Sequence, residues 1–260
     1  MLKLSNRLQT IANYVTAGST AADIGSDHAM LPVYLLQSGK CPSAIAGELN
    51  AGPFEAAKKQ GADAGLSHRL SVRQGDGLQV LQPGEADTVT IAGMGGSLMS
   101  EILEAGRQAG KLEGVKELVL QPNVGESNVR EWLLAQDWYL AGESILEEDG
   151  KIYEVLHAVK APDAADRNKQ LYNGDFLPIP RPQEVKEVVL KAMGPHLLRA
   201  PKAVLAKKWR HELNKLARIC AQLAESDLQE SALKQKQFRE EISIIEEVLQ
   251  CLPMDKPSYN

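Results

Sequence analysis

Short apolar runs recur along the first half of the chain, and polar or helix-forming stretches separate them. Five such runs occupy residues 21–25, 44–48, 70–74, 86–92 and 117–121. The stretches between them, such as 53–64 and 97–109, are long enough for crossover helices. Strands and helices that alternate in this way predict a parallel, doubly wound α/β sheet.

Apolar side chains at helical spacing precede the first of these runs. They are Leu8, Ile11, Ala12 and Val15, and Ser5 stands where it can cap the first turn. This spacing predicts an amphipathic helix over residues 5–15.

The alternation of strands and helices changes after Trp138. Residues 140–147 and 152–159 are both strand-like, and only Glu148-Asp149-Gly150 separates them. A connection that contains Asp-Gly is a hairpin signal. A mostly parallel sheet that ends in an antiparallel hairpin is typical of class I Rossmann-like methyltransferases and not of dehydrogenases. We therefore expect this α/β fold over residues 1–160.

The remaining residues predict a linker and a helical arm. Residues 161–182 are polar and then rich in proline, which favours an extended linker. Apolar side chains keep helical spacing over 205–223 and again over 238–252, on either side of a turn-like stretch at 224–227. We expect residues 183–260 to form two long antiparallel helices that resemble a short coiled coil.

Charge is distributed unevenly along the chain. The formal net charge is −5, which does not favour a nucleic-acid ligand. From residue 161 onward, however, 16 Lys and Arg stand against 14 Asp and Glu, whereas the numbers before it are 13 and 20. Residues 191–218 carry eight basic side chains and one acidic side chain, Glu212. This run fits either a surface for RNA phosphates or a solvated helix face, and charge alone does not decide between them.

Two further features indicate where the protein works. No apolar run approaches the roughly 18 residues of a membrane span, and the N-terminus lacks a run of signal-peptide length. The three cysteines, Cys41, Cys220 and Cys251, lack the close spacing of zinc or redox motifs. We expect a soluble, cytoplasmic protein with free thiols, no metal and no membrane association.

The loops after the first two predicted strands carry candidate ligand-binding residues, because ligands bind beyond the carboxyl ends of strands in an open parallel sheet. Residues 23–29 read Asp-Ile-Gly-Ser-Asp-His-Ala, which fits a D-x-G-x-G loop with Asp27 and Ala29 where glycines often stand. The loop is a poor dinucleotide fingerprint. Glu48 ends the second strand, where an acid can accept hydrogen bonds from a ribose diol or can simply face solvent.

The loops after the third and fourth strands add two more candidates. Asp76, between two glycines, can accept from an adenine amino group, although an ordinary Asp-Gly turn is the alternative. Residues 93–96 read Gly-Met-Gly-Gly, so the backbone can approach a ligand and Met94 can form an apolar wall against a base. Many amino-methylating enzymes carry Asn or Asp, two prolines and an aromatic here, and their absence argues against attack by an exocyclic amine.

Taken together, these residues resemble the bacterial tRNA (adenine-22-N1)-methyltransferases of the TrmK family. Lys207-Lys208-Trp209 continues the resemblance less strongly in the arm. The matching stretches are 4–8, 22–32, 45–48, 52–54, 71–78, 90–96, 120–123, 130–133 and 145–154.

The resemblance implies methyl transfer from S-adenosylmethionine to N1 of a tRNA adenine, with tRNA as partner and without an obligate protein partner. It implies three groups of residues. The adenine pocket would hold Asp27, His28, Met94 and Asn123, although His28 could merely order its turn. The tRNA would be bound by Arg7, Lys207, Lys208 and Arg210. The cofactor would be bound by Asp23, Gly25, Ser26, Glu48, Leu49, Asp76, Gly77, Ala92 and Gly93.

Two other functions stay open at this stage. A methyltransferase that acts on a small molecule or on another RNA could have the same front domain, but a small-molecule enzyme would have no use for a basic arm. A catalytically silent RNA-binding protein could keep the fold, although intact Glu48 and Asp76 speak against it.

Overall fold

A computed structural model describes residues 2–224 and 229–252 of the 260-residue chain. The chain forms two compact units that divide between Lys169 and Gln170. A seven-stranded sheet is the centre of the first unit. Its strands are β1 (Ala21–Ile24), β2 (Ala44–Glu48), β3 (Leu70–Gln74), β4 (Thr88–Gly95), β5 (Glu117–Val124), β6 (Trp138–Glu148) and β7 (Lys151–Lys160).

The strand order confirms the predicted fold class. The order is β3-β2-β1-β4-β5-β7-β6, in which the first five strands are parallel and β7 runs antiparallel to both β5 and β6. Asp149 and Gly150, with φ of 51° and 73°, form the two-residue turn between paired Glu148 and Lys151. This is the class I Rossmann-like methyltransferase sheet with its terminal hairpin.

Helices pack against this sheet. The predicted N-terminal helix is confirmed, and the Ser5 hydroxyl accepts a hydrogen bond from the Leu8 backbone N–H at 3.2 Å. One core cluster includes Ile11, Leu35 and Val155, which come from two helices and β7. The helices of this unit are α1 (Asn6–Tyr14), α2 (Met30–Gln37), α3 (Ala51–Asp63), α4 (Gly96–Gln108) and α5 (Glu126–Ala135), with a 3₁₀ turn at Gly77–Val80; α6 (Ala164–Leu171) spans the division between the units.

A buried charge cluster ties α5 to the hairpin. The Arg130 guanidinium donates to Glu143 at 2.6–2.7 Å and also to Glu154, and all three side chains are fully buried. Removal of one partner from such a cluster leaves an uncompensated buried charge and costs about 3–5 kcal/mol. The cluster therefore gives Arg130 and Glu154 a structural role, since it fixes α5 to the hairpin.

The second unit is helical. It contains α7 (Gln183–Met193), α8 (Pro195–Arg199), α9 (Ala203–Ala224) and α10 (Gln229–Cys251). The long helices α9 and α10 pair antiparallel, since the Gln235 amide near the start of α10 donates to the Cys220 carbonyl near the end of α9 at 3.0 Å. The predicted helical pair is thus confirmed, and α7 and α8 add to it. The predicted turn at 224–227 lies largely outside the described residues.

The structure differs from the extended linker expected over residues 161–182. Part of this stretch is helix α6, and Leu177 and Ile179 are buried although prolines flank them. Arg181 is fixed to α10 by bonds to Glu247 at 2.6 and 2.9 Å. Alternating prolines exclude a regular helix, but they do not prevent the apolar residues between them from packing.

None of the helices in residues 2–224 and 229–252 combines the length and the hydropathy that crossing a bilayer requires.

Candidate active site

A cleft of about 670 Å³ lies at the carboxyl edge of the sheet, beside the ends of β1 and β4. Leu8, Met30, Leu31, Gln60 and Tyr153 also line it, and the sequence reasoning assigned none of these to the site. The cleft brings together ten of the predicted site residues: Arg7, Asp23, Gly25, Ser26, Asp27, His28, Ala92, Gly93, Met94 and Asn123.

Asp23 anchors the loop that follows β1. Its carboxylate accepts hydrogen bonds from the hydroxyls of Ser26 and Thr90, both at 2.6 Å. Burial raises the pKa of the Asp23 carboxyl, and these two bonds oppose the shift. A pair of hydroxyl donors thus holds the acid at a fixed place at the end of β1.

The loop after β1 turns through four residues in the left-handed region. Gly25 has a φ of 71°, and Asp27, His28 and Ala29 have φ values of 30°, 63° and 52°. Left-handed residues other than glycine cost about 1–3 kcal/mol each, and they concentrate at functional sites. This chain therefore makes the turn with residues other than glycine at 27 and 29.

Glu48 braces the same loop from β2. Glu48 is only 6% exposed, and its carboxylate accepts a hydrogen bond from the Asp27 backbone N–H. Burial raises the pKa of the Glu48 carboxyl, and the bond from Asp27 partly offsets this rise. The neighbouring Leu49 is 58% exposed. Glu48 and Leu49 do not line the main cleft, although Glu48 supports its wall.

Asp76 and Gly77 line a separate cavity of about 230 Å³ next to α4. Gly77 has a φ of 51°, and a Cβ atom there would lie 3.0 Å from Ile102 Cγ2. Leu98, which is 51% exposed, also borders this cavity. The acids that follow β1 and β3 thus lie at two different cavities along the same edge of the sheet.

The sequence suggested a free glycine-rich loop after the fourth strand, but the structure shows that most of this segment belongs to β4. β4 continues through it to Gly95, with irregular pairing on either side of Met94, which lies opposite Pro122 of β5. Gly93 has the unusual φ of 79°. Gly96 is required for a different reason, because a Cβ atom on it would lie 1.9 Å from the Gly125 carbonyl oxygen. Packing between two backbone segments, and not approach to a ligand, excludes a side chain at residue 96.

A chain of polar contacts crosses one wall of the cleft. Arg7 donates to the Gln121 side chain at 2.6 Å, Gln121 donates to Asn123 at 3.1 Å, and Asn123 donates to the Gly93 carbonyl at 2.7 Å. The Arg7 guanidinium also lies over the Tyr153 ring, 5.5 Å from its centre. Sequence reasoning missed Gln121 and Tyr153 because each lies inside a strand, where a polar residue gives no sign of its tertiary partners.

The predicted phosphate-binding residues lie in the second unit, on α9. Lys207 and Arg210 are exposed, and Lys208 is half-buried. The trio therefore presents charge along one stretch of a long helix. Within the described residues, no group of three or more His, Cys, Asp or Glu side chains is arranged to hold a metal ion.

Comparison with known proteins identifies relatives of the whole chain. Residues 21–247 match the family model TrmK, described as tRNA (adenine(22)-N(1))-methyltransferase. The chain is 45% identical over 252 residues to the tRNA (adenine(22)-N(1))-methyltransferase of Bacillus subtilis strain 168, a match that covers 95% of this chain and 98% of the relative.

Solved structures give the same picture. The crystal structure of the B. subtilis M1A22 tRNA methyltransferase TrmK superposes with a TM-score of 0.85 at 43% identity, over 96% of this chain and all of that one. A Streptococcus pneumoniae protein in complex with S-adenosyl-L-methionine gives a TM-score of 0.74 at 34% identity, over 95% of this chain and all of that one. The similarity therefore extends through both units.

Proposed function

The chain belongs to the TrmK family of tRNA (adenine(22)-N(1))-methyltransferases, and from this premise we propose that it transfers a methyl group from S-adenosylmethionine to N1 of adenine 22 in tRNA. The observation that carries the proposal is the match along nearly the full chain to the B. subtilis enzyme. The cleft at the carboxyl edge of the sheet supports it, because ligands bind there in open parallel sheets.

The residues along this edge fit S-adenosylmethionine. Glu48, the last residue of β2, is a carboxylate that can accept from a ribose diol, and Asp76 after β3 can accept from an adenine amino group. Gly25, at a φ of 71° and without a side chain, lets the backbone approach a ligand. We assign the cofactor to these residues together with the predicted Asp23, Ser26, Leu49, Gly77, Ala92 and Gly93.

The reaction asks little of the protein in proton transfer. When bound, S-adenosylmethionine supplies a methyl group on a positively charged sulfur, and adenine N1 has an in-plane lone pair that can attack it. A general base is therefore unnecessary. The task left for Asp27, His28, Met94 and Asn123 is to align the base and to exclude water, and alignment alone can supply about 7–11 kcal/mol of a barrier.

Charge gives the cleft a second task. Methylation of N1 transfers positive charge to the adenine, and Asp27 lines the cleft where a carboxylate can stabilise that charge. His28 lies beside it, with its Nε2 3.6 Å from an Asp27 carboxylate oxygen. We assign Asp27 to electrostatic stabilisation, with His28 as a positioning neighbour.

We assign binding of the tRNA phosphates to the second unit. Residues 191–218 carry eight basic side chains against Glu212, and Lys207 and Arg210 are exposed on α9. Arg7 lines the cleft, and we assign it to the part of the tRNA next to the adenine that is methylated. A tRNA substrate also favours a cytoplasmic location.

Transfer of labelled methyl groups tests the function. Purified protein, labelled S-adenosylmethionine and bulk tRNA should give labelled tRNA, and no label should enter small-molecule acceptors. Calorimetry with S-adenosylmethionine separates the silent RNA-binding alternative, which predicts no cofactor binding. Label in small molecules alone would support the other alternative, a small-molecule methyltransferase.

A further inference from the structure

Gln121 is a fully buried polar residue in β5 to which the mechanism above gives no task. It lies opposite Ala92 in the sheet, inside β5 and two residues before Asn123, which lines the cleft. Its side chain joins two cleft residues, Arg7 of α1 and Asn123 of β5. A buried amide that contacts two site residues can transmit the position of one to the other.

Arg7 fixes the direction of the Gln121 amide. A guanidinium has only donors, so the Gln121 atom at 2.6 Å from Arg7 Nη1 must be the oxygen. The Gln121 nitrogen therefore faces the other way and uses both of its hydrogens, on the Pro122 carbonyl at 2.9 Å and on Asn123 Oδ1 at 3.1 Å. A reversed Gln121 amide would place two donors against each other at Arg7.

The same logic fixes Asn123. Because Gln121 donates to Asn123 Oδ1, the Asn123 nitrogen must point to the Gly93 carbonyl, to which it donates at 2.7 Å. Each hydrogen bond in this relay, from Arg7 through Gln121 and Asn123 to Gly93, runs in one direction. The side chain of Asn123 is exposed in the cleft, and after these two bonds its oxygen keeps one lone pair and its nitrogen keeps one hydrogen.

A free acceptor beside a free donor matches one edge of adenine. Asparagine binds adenine by accepting from N6 and donating to N7, whereas guanine presents acceptors at both places. This edge excludes N1, so a base held by it keeps N1 open to the methyl donor. An asparagine amide in the opposite orientation would meet N6 with its donor and would repel the base.

We propose that Gln121 is a positioning residue that sets adenine recognition: it orients the Asn123 amide so that Asn123 binds N6 and N7 of the substrate adenine. The inference rests on the proposed function and names the atoms of the base that this site reads. If Gln121 had only a structural role, it would satisfy buried polar groups, and its substitution would not change the contribution of adenine N6 and N7 to recognition.

A substrate atom provides the test. Two tRNA transcripts would carry adenine or 7-deazaadenine at position 22, and single-turnover methyl transfer would be measured at saturating S-adenosylmethionine. For wild type, loss of the N7 acceptor should lower the rate about tenfold, which is the worth of one hydrogen bond of ordinary strength. For Asn123→Ala, Gln121→Met and Gln121→Glu, the rates on the two transcripts should differ by less than about twofold. In these variants the bond from Asn123 to N7 is already lost, so removal of N7 has little further effect, as expected for coupled groups.

The two Gln121 variants and a control separate positioning from stability. Gln121→Met removes the hydrogen bonds to both Arg7 and Asn123. Gln121→Glu keeps the side-chain size and an acceptor for Arg7, but it cannot donate to Asn123. The glutamate variant therefore provides the test if the methionine variant fails to fold. Thr88→Val removes another buried hydrogen bond, from the Thr88 hydroxyl to Glu117 at 2.7 Å, at the opposite end of β4. It should retain the full response to 7-deazaadenine.

Several results would overturn the proposal. An unchanged wild-type rate on 7-deazaadenine would remove N7 from recognition. A full tenfold response in the Gln121 variants would show that Gln121 does not act through Asn123, and a lost response in Thr88→Val would reduce the effect to stability. The wild-type rate on ordinary adenine reports the proposed function separately, so absence of methylation there contradicts that function and not the relay alone.

Discussion

Gly25 lies against the tip of Met94, so that a Cβ atom on residue 25 would be 2.3 Å from Met94 Cε. The contact joins the loop after β1 to the irregular end of β4, and both line the cleft. The backbone conformation at Gly25 and the packing of the Met94 side chain are therefore linked, at the point where we propose that the cofactor and the base meet.

Gly25→Ala should damage the site more than its size suggests. The substitution forces alanine to a φ of 71° and pushes Met94 out of place. We expect a loss of about 1–3 kcal/mol in stability and weaker S-adenosylmethionine binding, by thermal unfolding and calorimetry. Gly18→Ala is the matched control, since Gly18 has a φ of 85° and no atom within 4 Å of the added carbon. Equal effects of both variants on cofactor binding would show general destabilisation and not a role for Gly25 at the cleft.

Glu48 and Asp76 should each contribute to cofactor affinity. A charge-assisted hydrogen bond is worth about 1.5–3 kcal/mol, so Glu48→Gln and Asp76→Ala should weaken binding roughly ten- to a hundredfold. Calorimetry measures this directly. Unchanged affinity in both variants would contradict the assignment of these acids to the cofactor.

Glu48 also predicts a dependence on pH. Burial raises the pKa of this carboxyl, so it holds its proton to a higher pH than an ordinary glutamate. Because the cofactor diol donates to the ionised form, affinity should fall as the pH falls through this raised pKa, and binding should release a proton there. For folding the sign is opposite: the contribution of Glu48 to stability is present below the unfolded-state pKa and is lost as the pH rises through the folded one. Calorimetry in buffers of different ionisation enthalpy should detect the proton, and Glu48→Gln should abolish it.

His28 and Met94 are expected to act on the substrate base. His28→Ala and Met94→Ala should lower the rate of methyl transfer more than they lower cofactor affinity, because alignment of the base is lost while the cofactor contacts remain. Single-turnover rates compared with calorimetry separate the two effects. Parallel losses in rate and affinity for one variant would move that residue to the cofactor site.

The basic stretch of α9 should govern tRNA affinity and its salt dependence. Charge reversal at Lys207, Lys208 and Arg210 should weaken tRNA binding, and each lost phosphate contact should lower the slope of log affinity against log salt by somewhat under one unit. Cofactor affinity should stay intact. Filter binding at several salt concentrations measures the slope.

A matched control exists on α10. Reversal at Lys234, Lys236 and Arg239, which are all exposed, changes the net charge of the same unit by the same amount. The control triple should leave the salt slope near that of wild type. If both triples behaved alike, the effect would come from overall charge and not from a binding surface on α9.

The sequence predicted the parallel strands well because most of them are buried apolar runs, although β3 is largely half-buried. β2 and β3 coincide with the predicted bounds, since turn-forming residues such as Pro42-Ser43 and Gly75-Asp76 lie beside them. β4 was predicted to end at Ala92 and continues to Gly95, because β5 supplies pairing partners beyond the apolar run. Such pairing is a tertiary effect that a single strand does not reveal.

The residues that line the candidate cleft were predicted only in part. Loops at the strand ends gave Asp23, Gly25 and Met94, because topology places those loops at one edge of the sheet. Gln121 and Tyr153 escaped, since their importance lies in contacts to Arg7, which is over 110 residues away in the chain. The helices α7 and α8 were also missed, because Gly194 and Pro195 interrupt the helical spacing between them.

The most direct test of the account is the position of the methyl group. An unmodified tRNA transcript with adenine at position 22 would be incubated with the protein and S-adenosylmethionine, and nuclease fragments would be sequenced by mass spectrometry. We predict one N1-methyladenine at position 22, and no methylation of a transcript with guanine there. Methylation at another position or atom, or an unmethylated adenine 22 with an active cofactor-binding protein, would contradict the proposed function.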